Sequence, residues 1–320
     1  MNVATCLLLY SFVVAVLAPP LLVRLTHRGV APRLGVTAWM AALGSVVLSW
    51  VAAGAFVAAE LVLTGAQPGR ALLGSCFATL RDGVSGRAGI AVQAGIVLLS
   101  VLTILAVFLV AGRLCRRLLR MRSSTHGHAR MTRIVGRRVA GVDAVVLDAP
   151  ERAAYCVAGR PNAIVVTSAA LDALDRPQLD AVLTHERAHL TGGHLPLLAL
   201  LRGLAASLPR MALFTLAETE VARLLEMCAD DCAARTHGSR TVLTGLIALS
   251  GGAPLPAGAV GATSIAVLDR AQRLASPSRP TDRARTRALL TAATALIATG
   301  PLVTGLLAAS GVMLCGPMPL

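Results

Sequence analysis

The amino-acid sequence predicts a mainly helical membrane protein, with four transmembrane helices and a small α+β domain inserted between the third and the fourth. Three observations predict this. Of 320 residues, 55% are hydrophobic and only 14% charged, too apolar for a soluble globule of ordinary composition. Uncharged runs of membrane-spanning length recur on both sides of the chain's centre. Between them, from about residue 140, the pattern changes to short β-branched runs and helical periods.

The first uncharged run is Val3 to Val23, about the ~20 residues needed to cross the hydrocarbon core. It has no basic leader and no small-residue cleavage site, so it reads as a retained span and not a signal peptide. Pro19-Pro20 is expected to end or kink it. The second span is 34–59 and the third 88–112, bounded by Arg87 and Arg113. The fourth, about 289–314, lies in the uncharged stretch 288–320 and is weakened at Gly300-Pro301. The expected organisation is therefore three spans in 1–113, a domain with basic juxtamembrane ends in 114–287, and a last span with a short outer tail in 288–320.

Arginine in the short loops sets the orientation. The first loop carries Arg24, Arg28 and Arg33. In the second, Glu60 and Asp82 nearly balance Arg70, Arg81 and Arg87. Nine arginines follow between Arg113 and Arg138. Both termini are thus expected outside a multi-pass plasma-membrane protein, with the inserted domain in the cytoplasm. All 30 basic residues are arginine and none is lysine, a compositional bias, so the net charge of +14 does not argue for direct nucleic-acid binding. Cys76 and Cys315 fall on the outer side of this topology, where a disulfide between them and two separate free thiols are equally open readings.

Within the domain, Val145-Val146-Leu147, Tyr155-Cys156-Val157 and Ile164-Val165-Val166 predict a small antiparallel sheet. Asp175 then starts a helix as N-cap, with Pro177 in the first turn and Gln178 completing a capping box. Thr191-Gly192-Gly193 ends it. This helix carries His185-Glu186-Arg187-Ala188-His189. Histidines four apart share a helix face and are able to turn their imidazoles toward one Zn²⁺. Glu186, next to the metal but not bound to it, is placed to take a proton from water whose pKa zinc lowers to about 7.

A catalytic zinc needs a third protein ligand and an open position. Glu226 is assigned to it, on a helix expected from about Leu216 to Arg235, with Asp230 one turn on as the acceptor that orients a ligand histidine. That E-x-x-x-D pairing favours Glu226 over Glu220. Glu218, Glu220 and Asp231 read as acidic decoration of a solvated helix. His194 falls one residue short of the position where some zinc peptidases place a third histidine, and reads as a loop residue. His237, eleven residues past Glu226, is about 16 Å along the helix and too far to ligate. Cys228 and Cys232 read as small buried filler. The apolar stretch 195–217, broken by Pro196, Arg202, Pro209 and Arg210, is expected to pack in the domain or rest on the membrane surface without crossing. Residues 251–263 read as a loop and 270–287 as a basic juxtamembrane stretch able to meet anionic lipid.

His185-Glu186-x-x-His189 followed by Glu226-x-x-x-Asp230 resembles the gluzincin membrane peptidases, a group containing the HtpX and CAAX-prenyl protease type and the BlaR/MecR type. The runs Ala154-Tyr155-Cys156-Val157-Ala158-Gly159-Arg160 and Ala163-Ile164-Val165-Val166-Thr167-Ser168, with Leu179-x-Ala181-Val182-Leu183-x-His185, are similar to the BlaR/MecR type in particular. The resemblance implies a gluzincin-like domain holding one zinc ion and an edge strand near the zinc helix that either pairs with an extended substrate or is purely structural. It implies a regulatory endopeptidase cleaving a cytoplasmic protein, such as a BlaI-type transcriptional repressor, or itself. BlaR/MecR receptors continue past the last span into a penicillin-sensor domain, which this sequence does not show, so β-lactam sensing is not expected. The partners expected are the lipid bilayer, a protein substrate and a second copy of the chain. An HtpX-like quality-control protease and a non-proteolytic zinc-binding receptor or scaffold are the alternatives.

Overall fold

The computed structural model describes residues 3–66, 112–113, 115–116, 137–138, 144–157, 162–251, 262–276 and 279–310. The expected third span at 88–112 falls almost wholly outside the described residues, as do Cys76 and Cys315. Helix α1 is Val3–Thr26 and α2 is Pro32–Ala66, so both outrun the uncharged stretches that predict them. Pro19-Pro20 neither ends nor breaks α1. Pro19 is buried in the bundle, where neighbouring helices stabilise a segment that has lost two backbone donors. Three helices among the described residues are long and apolar enough to cross a membrane: Val3–Thr26, the Pro32–Phe56 part of α2, and the last helix, Pro280–Ala309.

The link between α1 and α2 turns at Gly29, whose φ of 57° suits glycine. A Cβ there would also stand 2.2 Å from Met227 Sδ, so the turn lies flat against a later helix.

The sheet is mixed, not antiparallel. Its strands β1 (Arg137–Arg138), β2 (Val145–Leu147), β3 (Ala154–Val157) and β4 (Ala163–Thr167) lie in the order β1-β2-β4-β3. Strand β3 folds back on β4 as an antiparallel neighbour and takes its far side, which leaves β2 to pair with β4 in parallel. Strand β1 comes from the arginine run read as juxtamembrane. Helices α3 (Ser168–Ala173) and α4 (Arg176–Thr191) follow, and Ile164, Val166, Ala170, Leu174, Leu179 and Leu183 close a core between β4 and both. Each fully buried leucine there contributes about 1.5–3 kcal/mol.

Next come α5 (His194–Ser207) and α6 (Ala212–His237). The stretch 195–217 is packed within the fold, one of the two placements expected of it: it makes most of a helical hairpin, α5 and the start of α6, that lies beside α1 and α2. Leu224 on α6 packs against Gly35, and Phe214, nearer the hairpin turn, stacks on Trp50 at 6.0 Å between ring centroids. Gly35 and Trp50 are 15 residues apart on α2, about 22 Å of helix. Leu201, Leu213, Phe214, Val221 and Leu224 share one apolar cluster with Leu22, Trp39, Val46 and Leu290. Arg202 is 3.6 Å from Glu218 across the hairpin, which partners the charge that argued against a membrane setting. Helices α7 (Ser239–Ser250), α8 (Ala262–Ala275) and α9 (Pro280–Ala309) are the last among the described residues. Helix α9 starts nine residues before the predicted fourth span and keeps Arg283, Arg285 and Arg287 inside its first turns.

Candidate metal centre

Helix α4 is specified locally. The Asp175 side chain accepts from Gln178 N at 2.8 Å and Gln178 Oε1 accepts from Asp175 N at 3.1 Å, the reciprocal capping box the sequence predicts. Four residues apart on its buried face stand His185 and His189. At its end Gly192 and Gly193 turn the chain. Gly193 has φ of 65°, and a Cβ on Gly192 would meet His194 Nε2 at 2.5 Å. His194 is therefore the first residue of α5 and not a loop residue. It is buried, with Nδ1 2.9 Å from His189 Nδ1, so one ring donates to the other and fixes the orientation of His189.

Helix α6 packs against α4 and brings up Glu226. His185 Nε2 and His189 Nε2 are 3.1 Å apart, and each is 3.4 Å from an oxygen of the Glu226 carboxylate. One ligand atom from each residue lies within 4.8 Å of the others, a group suited to a metal ion. A zinc ion with ligands at 2.0–2.1 Å has tetrahedral edges of about 3.4 Å, so two imidazole nitrogens and a carboxylate oxygen at these separations fit it.

Asp230 is fully buried, one turn beyond Glu226. Its Oδ1 is 3.1 Å from His185 Nδ1, so accepting that N–H leaves Nε2 facing Glu226. A residue that motif reasoning missed completes the cluster. Arg270 of α8 donates to both Asp230 oxygens at 2.8 and 2.7 Å and reaches Glu226 Oε2 at 3.1 Å. The sequence places it 40 positions from Asp230 in a stretch read as juxtamembrane, and spacing rules do not reach across that separation. The acids read as decoration are also engaged: Asp231 pairs with Arg273, Glu220 with Arg223 at 2.8 Å, and Glu218 with Arg202. Arg223 also donates to the carbonyls of Thr26 and His27 at 3.0 Å, closing the end of α1. His237, outside the metal cluster, lies 2.8 Å from Thr184 Oγ1 and ties the end of α6 to α4.

Glu186 is buried beside the cluster, facing edge strand β3, where Cys156 hydrogen-bonds to its carboxylate through both thiol and backbone N–H. Burial pushes the Glu186 carboxyl up to about 7, with the Glu226 charge adding to the rise and His185 opposing it. Burial and the neighbouring Glu186 together push the Cys156 thiol up to about 12, so it stays a neutral donor. Burial disfavours the His185 imidazolium, yet hydrogen bonds to Asp230 and Glu226 outweigh it and hold its pKa at about 9. Burial wins at His189, lowering it to about 4. Burial also pushes the Glu226 and Asp230 carboxyls up, but His185 and Arg270 hold both well below the usual carboxylate range. Without a metal, the cluster thus holds two carboxyls toward their charged form and one, Glu186, toward its neutral form.

A family model described as peptidase family M48 matches residues 126–304, more than half of the chain and all of the cluster above. No curated protein and no solved structure matches.

Proposed function

This chain belongs to peptidase family M48, and from that premise we propose that it is a zinc-dependent endopeptidase of the membrane, with His185, His189 and Glu226 as ligands and Glu186 as general base. The observation that carries the reading is the convergence of three ligand atoms beside the buried carboxyl of Glu186. Zinc held there supplies Lewis acidity to water and to the scissile carbonyl. Glu186 takes the proton of the attacking water on a carboxylate oxygen and returns it to the leaving amine. Asp230 and His194 hold His185 and His189 in the tautomers that leave both Nε2 atoms free for the metal. The backbone N–H of Cys156 points from the edge strand toward Glu186, so a peptide laid along β3 would run past the reacting groups with little demand on its sequence.

In this reading both termini lie outside and the peptidase faces the cytoplasm, cleaving a regulatory protein such as a BlaI-type repressor, or itself. A quality-control protease of the HtpX type fits the same centre. Cleavage of one defined partner, against many unfolded proteins, separates the two.

The test is zinc content and proteolysis of the full chain in detergent. Glu186→Gln keeps about one zinc per chain and loses activity by roughly 10²–10⁴-fold, whereas Glu226→Ala loses both. Full zinc and activity in Glu226→Ala would overturn the ligand set. A wild type that binds zinc and cleaves nothing favours the receptor or scaffold reading.

A further inference from the structure

A second polar site lies where the spans meet the domain. It is a pocket of about 190 Å³ walled by the Gly29-Val30 turn, Asp231 of α6, Arg273 of α8, and Arg283 and Arg287 of α9. Asp231 and Arg273 pair with each other, and Arg273 Nε also donates to Gly29 O at 3.0 Å. That leaves Arg283 and Arg287 with no ion pair among the described residues. They stand four apart on one face of α9, and both are exposed. The lining therefore carries two uncompensated positive charges.

Nothing in helix energetics favours this placement. A cation in the first turn opposes the helix dipole, and Arg283 sits in the first turn of α9. Beside it, Ser239 opens α7 at the pocket wall, and the N-cap of that helix is Gly238, which has no side chain to satisfy the first-turn N–H groups. Two arginines and an uncapped N-terminus of a 12-residue helix around one cavity form an anion site.

The level of the pocket identifies the anion. From Ala288 to Ala309 helix α9 has no charge, 22 residues or about 33 Å, which matches the ~30 Å hydrocarbon core. Arg287 is the first residue outside that stretch and Arg283 lies one turn, about 6 Å, further out. The Gly29-Val30 turn, which joins two more candidate spans, lines the same pocket as these arginines. Lipid phosphates occupy this layer. The volume is below the ~300–1,000 Å³ of sites for whole small molecules, enough for a headgroup phosphate.

We propose that this pocket binds the phosphate of an anionic phospholipid headgroup, clamping α9 and the α1–α2 turn to α8. The clamp engages Arg273, one turn along α8 from the Arg270 that holds Asp230 and Glu226. The assignment does not depend on the peptidase reading.

The experiment titrates the detergent-purified full chain with phosphatidylglycerol, phosphatidylcholine or inorganic phosphate, reading bound lipid by native mass spectrometry and unfolding temperature in parallel. Phosphatidylglycerol binds at least about tenfold tighter than phosphatidylcholine, and the double variant Arg283→Gln/Arg287→Gln loses on the order of tenfold of that affinity. Both arginines are exposed and unpaired, so the variant folds. Arg285→Gln, on the opposite face of α9, stays within about twofold of wild type and serves as the charge-matched control. Equal binding of the two lipids overturns the site, and so does an equal loss in Arg285→Gln, which would mean diffuse surface charge. Stabilisation by inorganic phosphate equal to that by phosphatidylglycerol overturns the lipid as the source of the phosphate.

Discussion

Helices α4 and α6 each aim two polar side chains, four residues apart, at one spot, yet they are specified in opposite ways. Helix α4 is defined by its neighbours in sequence: an N-cap, a reciprocal box, two glycines and a short apolar face. Helix α6 has no side-chain cap at its amino end and is placed by what surrounds it, the spans on one face and the Arg270 pair on the other. The lesson is that the histidine pair is set by local geometry, while the carboxylate pair depends on tertiary contacts from 40 to 197 residues distant.

If that contrast holds, the largest effect comes from α6. Asp230→Asn takes from the buried Arg270 guanidinium the carboxylate that it grips with two hydrogen bonds, leaving it Glu226 alone, and costs about 2–4 kcal/mol, read as a lower unfolding temperature in detergent. An unchanged temperature would mean that α6 does not rely on the pair. Next in size is a proton effect that spans both helices. In the metal-free protein His185 keeps its proton up to a pKa of about 9, because Asp230 and Glu226 stabilise the imidazolium. Zinc has to displace that proton, so zinc affinity rises roughly tenfold per pH unit from pH 7 toward 9 and levels off above. Competition titrations against a chelator read this, and a flat profile would sink it. The smallest effect belongs to α4: Asp175→Ala removes one cap and costs about 1 kcal/mol while zinc content stays unchanged. Loss of zinc in that variant would show that α4 is not rigid on its own.

Legibility follows the same division. The two long apolar helices at the amino end, the capping box and the clustering of His185, His189 and Glu226 are readable because each depends on a long uncharged run, on periodicity or on a spacing of three or four residues. The pairing order of the sheet was not, since which strand fills the far side of β4 depends on loop closure and not on strand composition. His194 reads as a loop residue because it departs from a known spacing by one residue, yet the glycines at 192 and 193 are a signal that the chain doubles back onto His189. Arg270 and Arg273 were hidden in a basic stretch, where helical partners 40 residues upstream leave no mark on local pattern. For residues 195–217 the breaks at Pro196, Arg202, Pro209 and Arg210 point to a packed segment, but hydropathy carries no mark of the hairpin it makes against α1 and α2.

That hairpin also bears on how the enzyme could be handled. Leu213, Phe214, Val221 and Leu224, all almost completely shielded in the whole chain, belong to the helix that bears Glu226. Expressed without its spans, the stretch 114–287 would present this stripe to water at a cost of about 1.5–3 kcal/mol per side chain, and would aggregate or refold around it. A water-soluble version needs that stripe redesigned with polar residues, because trimming the ends of the chain leaves it in place.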